Sequence, residues 1–262
     1  MELFAKKSLG QHFLNSKHVL DEIISTATIK KDENILEIGP GTGILTQALI
    51  DSGAHVVAVE KDDRAFEILK VKFFQDVLRN QLELVHGDIL ESPVSNLKSH
   101  SFKLVANIPY YITGAILEKF LEHGPRPELM VLLVQKEVAE RIVAKDGKES
   151  ILSVSVKAFG EPKLISKVPR GAFTPPPKVD SAVLKIENIS DTKFKEKNID
   201  PKRFFGVVRA GFAHKRKILI RNLEAVIDPE TLKTKWAQLS LDPKIRAEDV
   251  SPEQWFEIVA RL

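Results

Sequence analysis

Apolar side chains at Val19, Leu20, Ile23, Ile24 and Ala27 recur at the spacing of one helical face, so residues 17–27 are expected to form an amphipathic helix. Beyond it, short apolar runs alternate with helical stretches. Strands are expected at 34–38, 55–59, 82–85, 103–106 and 129–134, and helices at 44–52, from about 62 to 78 and around 113–123. Such brief, wholly apolar strands fit a parallel sheet covered by helices on both faces. Past Gly160 the rhythm changes. Strands at 163–168 and 179–186 flank the turn Phe173-Thr174-Pro175-Pro176-Pro177, with no room for a crossover helix, so they are expected to form an antiparallel edge. The polar, lysine-rich stretch 188–200 reads as a linker. Helices follow, with Asp200-Pro201, Asp228-Pro229, Asp242-Pro243 and Ser251-Pro252 each expected to act as an N-cap followed by proline at the first helical position. The expected organisation is an α/β domain over 1–190 and a small all-α C-terminal domain over 191–262.

Charge sharpens that division. Residues 188–262 hold 15 Lys+Arg against 11 Asp+Glu, whereas the rest of the chain holds 24 against 25. Residues 202–221 contain seven basic residues and no acid. Arg209, Lys215, Arg216, Lys217 and Arg221 are the candidate contacts to a polyanion such as RNA. The interleaved Phe204, Phe205, Val208, Phe212, Ile218, Leu219 and Leu223 form a helical apolar face, so the charges are either phosphate contacts or simply its solvated side. With no cysteine, disulfides, thiolate metal sites and cysteine nucleophiles are excluded, and the histidines show no ligand spacing, so no metal is expected. The N-terminus lacks the apolar core of a signal peptide, and no run approaches the roughly 20 apolar residues of a membrane span. A cytoplasmic protein acting away from membranes is expected.

The sequence Glu37-Ile38-Gly39-Pro40-Gly41-Thr42-Gly43 stands where the 34–38 strand gives way to a helix. A turn poor in side chains lets a ligand approach the backbone, and the helix start offers free N–H groups. Glu60 ends the next strand, where a carboxylate can accept both ribose hydroxyls of a nucleoside; Lys61 lies beside it. A dinucleotide fingerprint requires a third glycine where this chain has Ile44. The spacing Gly39, Gly41, Gly43 behind an acid matches S-adenosylmethionine enzymes instead. For that cationic ligand, Glu37 is an asset. Asp88, followed by Ile89 after the third strand, is placed to accept the exocyclic amine of the cofactor's adenine, although such a residue also serves as an ordinary turn former.

Asn107-Ile108-Pro109-Tyr110 follows the 103–106 strand. An exocyclic N6 amine is a poor nucleophile because its lone pair is delocalised into the purine. Two acceptors on its N–H bonds, the Asn107 amide oxygen and the Ile108 carbonyl, can draw the nitrogen toward tetrahedral geometry. Pro109 keeps Ile108 extended and donates no competing N–H. Tyr110 offers a flat face to an extruded base, a contact worth about 1–3 kcal/mol.

Together these motifs resemble the ribosomal RNA adenine N6,N6-dimethyltransferases known through kasugamycin resistance, over nearly the whole chain. Gly10-Gln11-His12-Phe13-Leu14 and Phe173-Thr174-Pro175-Pro176-Pro177-Lys178-Val179-Asp180-Ser181-Ala182-Val183 carry the resemblance further. It implies a Rossmann-like S-adenosylmethionine methyltransferase sheet with an antiparallel edge, cofactor contacts from His12 and Leu14, and a Phe173 ring against the target base opposite Tyr110. It also implies a monomer dimethylating two adjacent adenosines of small-subunit rRNA within an assembling particle. The chain departs from the family's usual pattern at Glu149-Ser150-Ile151-Leu152-Ser153-Val154 and at Tyr111. The alternatives are a non-catalytic ribosome-assembly or transcription factor on the same fold, and a large-subunit rRNA adenine methyltransferase.

Overall fold

The computed structural model describes residues 4–6, 9–91, 101–239 and 241–262, so the first three residues of the N-terminal stretch lie outside it. The chain divides into two compact units, Met1–Ala139 with Pro162–Ile189, and Glu140–Glu161 with Ser190–Leu262.

The first unit opens with β1 (Phe13–Leu14) and α1 (Lys17–Ala27). Ser16 caps α1 by accepting the Val19 N–H, and Val19, Ile23 and Ala27 are the buried stripe. Then come β2 (Asn34–Ile38), α2 (Ile44–Asp51), β3 (His55–Glu60), α3 (Asp63–Lys72), α4 (Phe74–Leu78), β4 (Leu82–His86), β5 (Lys103–Asn107), α5 (Thr113–Leu117), β6 (Leu129–Gln135) and α6 (Lys136–Val143). After α7 (Ile151–Phe159) the sheet resumes with β7 (Glu161–Val168), β8 (Phe173–Thr174) and β9 (Ser181–Glu187).

Among the described residues, seven strands form one sheet in the order β4-β3-β2-β5-β6-β9-β7. Strands β4, β3, β2, β5 and β6 run parallel, and β9 joins β6 antiparallel, Leu132 opposite Leu184. This is the mixed Rossmann-like sheet with an antiparallel edge. Burial explains the composition. The central strand β6 is buried along Leu129–Val134, whereas the edge strand β7 alternates exposed and half-buried positions. The order reverses between β2 and β5, so the carboxyl ends of β2, β3, β4 and β5 gather around one crevice.

Four local expectations change, the first being the linker at 188–200, which holds a helix at Thr192–Glu196 with Phe194 buried. The helix expected from 62 to 78 breaks at Phe73, which leaves helical geometry (φ −106°, ψ 23°) as its buried ring turns against Gly43. Residues 173–174 are not merely turn: β8 pairs antiparallel with β1, Phe13 opposite Thr174 and Leu14 opposite Phe173. Asp242-Pro243 opens a turn rather than a helix, with Asp242 accepting the Lys244 N–H on its side chain and the Ile245 N–H on its backbone.

The second unit is helical: α7, α8 (Thr192–Glu196), α9 (Pro201–Gly211), α10 (Leu219–Leu223), α11 (Pro229–Trp236) and α12 (Pro252–Arg261). Asp200, Asp228 and Ser251 cap α9, α11 and α12, each with proline following. Its centre is aromatic, Phe159 and Phe204 lying 4.9 Å from Phe194 and 4.5 Å from Phe256 respectively, centroid to centroid.

Candidate active site

The crevice holds a cavity of about 350 Å³, lined by the glycine turn, the ends of β2, β3 and β5, the 87–90 turn, and residues 9–14. Its position follows from the sheet order. Its chemistry comes from what the strand ends present.

The glycine turn is fixed from several sides. The Gly39 N–H donates to the Val59 carbonyl at 2.9 Å and the Gly43 N–H to the Pro40 carbonyl at 2.8 Å. Gly43 adopts φ +74°, and a Cβ there would lie 2.5 Å from Phe73 Cε2. Gly43 is therefore needed beneath the turn and does not line the cavity; Gly39 and Gly41 do.

Glu60, 5% exposed, binds the turn to its own strand. Its Oε2 accepts the Gly41 N–H at 3.0 Å and its Oε1 the Asp62 N–H at 2.8 Å. Burial nevertheless holds its carboxyl above the usual range, the backbone donors only partly offsetting it. Glu37 is more extreme. At 1% exposure, burial first and the Glu60 charge further push its pKa up to about 8, against the lowering influence of Thr46 and Lys72. Its Oε2 has no hydrogen-bond partner of ordinary geometry among the described residues. Asp88 is the opposite case. Lys61 donates to its Oδ2 at 2.7 Å and the Leu90 N–H to its Oδ1 at 2.9 Å, and these hold its pKa low. Ile89 is buried beside it, on the cavity wall.

Asn107 is the last residue of β5, and Ile108 is anchored behind it through an N–H donated to the Leu133 carbonyl at 3.3 Å. Asn107 Nδ2 donates one N–H to the His12 carbonyl at 3.1 Å, which orients the amide so that its oxygen, with no acceptor contact among the described residues, is the acceptor it offers. Pro109 (φ −54°, ψ 127°) leads into a single 3-10 turn, Tyr110–Ile112. The Tyr110 hydroxyl shares a 2.6 Å hydrogen bond with Ser181 Oγ, and its ring stacks on His12 with centroids 6.0 Å apart. His12 Nδ1–H in turn donates to the Pro175 carbonyl at 2.8 Å, so the triple-proline turn, the N-terminal motif and Tyr110 form one wall.

One predicted position falls differently from expectation. Leu14 lines the cavity, but Phe173 opposite it in β8 is 2% exposed and packs into the core rather than onto the cavity. The two-residue strand pairing that turns the ring inward is too short to leave a period in the sequence. Gln11, Asp62 and Arg64 form a clamp that sequence reasoning missed: Gln11 Nε2 and Arg64 both donate to Asp62, holding its pKa down at about 2, Arg64 being the main cause. The signal was the Gln11 of the N-terminal motif. Lys72 is the other omission, and no motif marks it.

In the second unit, Arg209, Lys215, Arg216, Lys217 and Arg221 are all exposed, while Phe204, Phe205, Val208, Leu219 and Leu223 are buried. Arg221 pairs with Glu224 at 2.9 Å. Among the described residues, no group of three His, Asp or Glu is placed to hold a metal ion, and no helix is long and apolar enough to cross a membrane.

A family model described as "Ribosomal RNA adenine dimethylase" matches residues 3–262. The ribosomal RNA small subunit methyltransferase A of Dehalococcoides mccartyi is 42% identical, covering 97% of this chain and 87% of the relative. That of Nostoc sp. is 41% identical, covering 98% and 97%. Among solved structures, a dimethyladenosine transferase from Plasmodium falciparum superposes with a TM-score of 0.78 at 27% identity, covering 94% of this chain and 96% of the other. The 23S rRNA methyltransferase ErmE gives 0.72 at 27%, covering 95% and 99%.

Proposed function

This chain belongs to the ribosomal RNA adenine dimethylase family, and on that premise we propose how its residues dimethylate the N6 amines of two adjacent adenosines in 16S rRNA. The small-subunit assignment rests on relatives named small subunit methyltransferases, about 40% identical over nearly the full length. The site is the cytoplasm, where an assembling small-subunit particle presents the RNA to a single copy of the chain.

S-adenosylmethionine is the cofactor, and the cavity residues fit it. A cavity of about 350 Å³ is ordinary for a small-molecule site. The buried, unpartnered Glu37 Oε2 suits a ligand that brings its own cationic amine. Glu60 keeps lone pairs for ribose hydroxyls beside its two backbone donors. Asp88 accepts the adenine amine, with Lys61 holding it ionised. His12, Leu14, Ile89, Gly39 and Gly41 complete the surround, with Gly43 beneath the turn. Bound there, the cofactor supplies an electrophilic methyl on sulfur.

The observation that carries the catalytic assignment is the orientation of Asn107. With Nδ2 given to the His12 carbonyl, the oxygen is the group available to accept an N6–H, and the Ile108 carbonyl takes the other. Pro109 fixes the carbonyl, and Tyr110 carries the flipped base on its ring. Phe173 backs this wall through its pairing with Leu14. The spent N6 proton leaves to water, so positioning and electrostatics are the main effects. Arg209, Lys215, Arg216, Lys217 and Arg221 of the helical unit contact RNA phosphates. Mass spectrometry of 16S rRNA from unmodified small-subunit particles, after incubation with the protein and labelled S-adenosylmethionine, should give two adjacent N6,N6-dimethyladenosines. Label in large-subunit RNA alone would refute the substrate assignment.

A further inference from the structure

On the carbonyl side of the glycine turn stands a cation that the cofactor assignment does not use. Lys72, the last residue of α3, donates from Nζ to the Thr42 carbonyl at 2.9 Å and reaches the Gly43 carbonyl at 3.4 Å. Its ammonium also lies 4.9 Å from the centroid of the Phe73 ring, the ring that packs against Gly43. The break between α3 and α4 is what allows this: Phe73 goes inward and Lys72 lies across the turn. Glu60 grips the same turn through the Gly41 N–H. The turn is thus held at an N–H by an acid and at two carbonyls by a base.

We propose that Lys72 is a positioning residue for the cofactor, holding the carbonyl face of the glycine turn through Thr42 and Gly43 and adding one positive charge to the acidic surround of the cavity. The inference rests on the S-adenosylmethionine reading of the cavity. Among the described residues, Glu60 at the end of β3 repels the charged form of Glu37, Lys72 from α3 favours it, and the neutral Thr46 of α2 favours it as well. The interaction is mutual, since Glu37 favours the Lys72 charge against the burial that lowers its pKa. Removing the cation leaves Glu37 with the repulsion of Glu60 and without this favourable charge, and the proton on Glu37 becomes harder to displace.

The test is calorimetric binding of S-adenosylmethionine to the whole protein from pH 6.5 to 9, in two buffers of different ionisation enthalpy, with thermal unfolding followed in parallel. Lys72→Met should weaken binding about three- to tenfold near pH 7.5, the effect of moving one linked group by half to one pH unit. Its proton release on binding should persist to higher pH than in the parent. Lys72→Arg, which keeps a charge and donors, should restore most of both. A Lys72→Met protein with the parent's affinity and proton-release profile overturns the inference. One that loses affinity equally at every pH, with Lys72→Arg restoring it, supports the hold on the turn and overturns the part played by the charge. If Lys72→Met does not fold, a Lys72→Arg profile displaced as far as a deletion would require overturns it, and a parental profile supports it. A parent that binds no S-adenosylmethionine at any pH refutes the underlying cofactor reading instead.

Discussion

Glu60 Oε2 accepts the Gly41 N–H at 3.0 Å, joining the carboxyl end of β3 to the turn that follows β2. One carboxylate therefore both shapes the turn and offers its remaining lone pairs to a ribose. Glu60→Ala should weaken S-adenosylmethionine binding by about 1.5–3 kcal/mol, the scale of lost hydrogen bonds to a charged group. Calorimetry measures this directly. NAD should not compete, and displacement of S-adenosylmethionine by NAD would contradict the assignment of the cavity.

Glu37 makes folding stability depend on pH in a defined direction. Its folded pKa, about 8, lies above the ordinary 4.5, so the native state keeps a proton that the unfolded chain has released. The contribution to stability is full below about pH 4.5 and is lost as pH rises toward 8. Between pH 5 and 8, the parent should lose stability relative to Glu37→Gln, by up to about 1.4 kcal/mol per pH unit. Urea unfolding of both proteins across that range checks it; parallel curves would show that Glu37 ionises normally.

The exposed cations of the second unit predict a salt signature. Changing Arg209, Lys215, Arg216 and Lys217 to Ala should weaken RNA binding and flatten its dependence on salt, each lost phosphate contact removing about 0.7–0.9 from the logarithmic slope. Cofactor affinity should not change. A slope equal to the parent's would leave these charges as the solvated side of a helical core.

The parallel strands, the glycine turn, Glu60, Asp88 and Asn107 were legible because each depends on local pattern: a short apolar run ending in a polar residue at a known offset. Asn107 even falls inside β5 rather than after it, which brings its amide within reach of His12. What stayed hidden depends on contacts between distant segments. The helix break at Phe73 is set by the space beneath Gly43, thirty residues away in sequence, and Lys72 acquires its place only from that break. Pairing of β1 with β8 involves two residues a side and buries Phe173, so the ring expected on the base lies behind the wall. Helix α7 carries Ile151, Val154 and Val156, a β-branched stretch that gave no helical expectation; the Ser150–Ser153 capping box and burial of its apolar face prevail.

Asn107 is where the account is most exposed to test. If its oxygen accepts an N6–H chiefly in the transition state, Asn107→Ala should lower kcat and kcat/KM together while RNA affinity holds. The expected loss is roughly a hundredfold to a thousandfold, the scale of removing one preorganised hydrogen-bonding group from an active site. Single-turnover methyl transfer to an unmodified small-subunit particle, with enzyme and S-adenosylmethionine in excess, measures the step itself. The parent should transfer methyl groups to adenine N6, and Asn107→Ala should be slower by that factor while binding the particle equally well. An Asn107→Ala protein as fast as the parent would contradict this assignment.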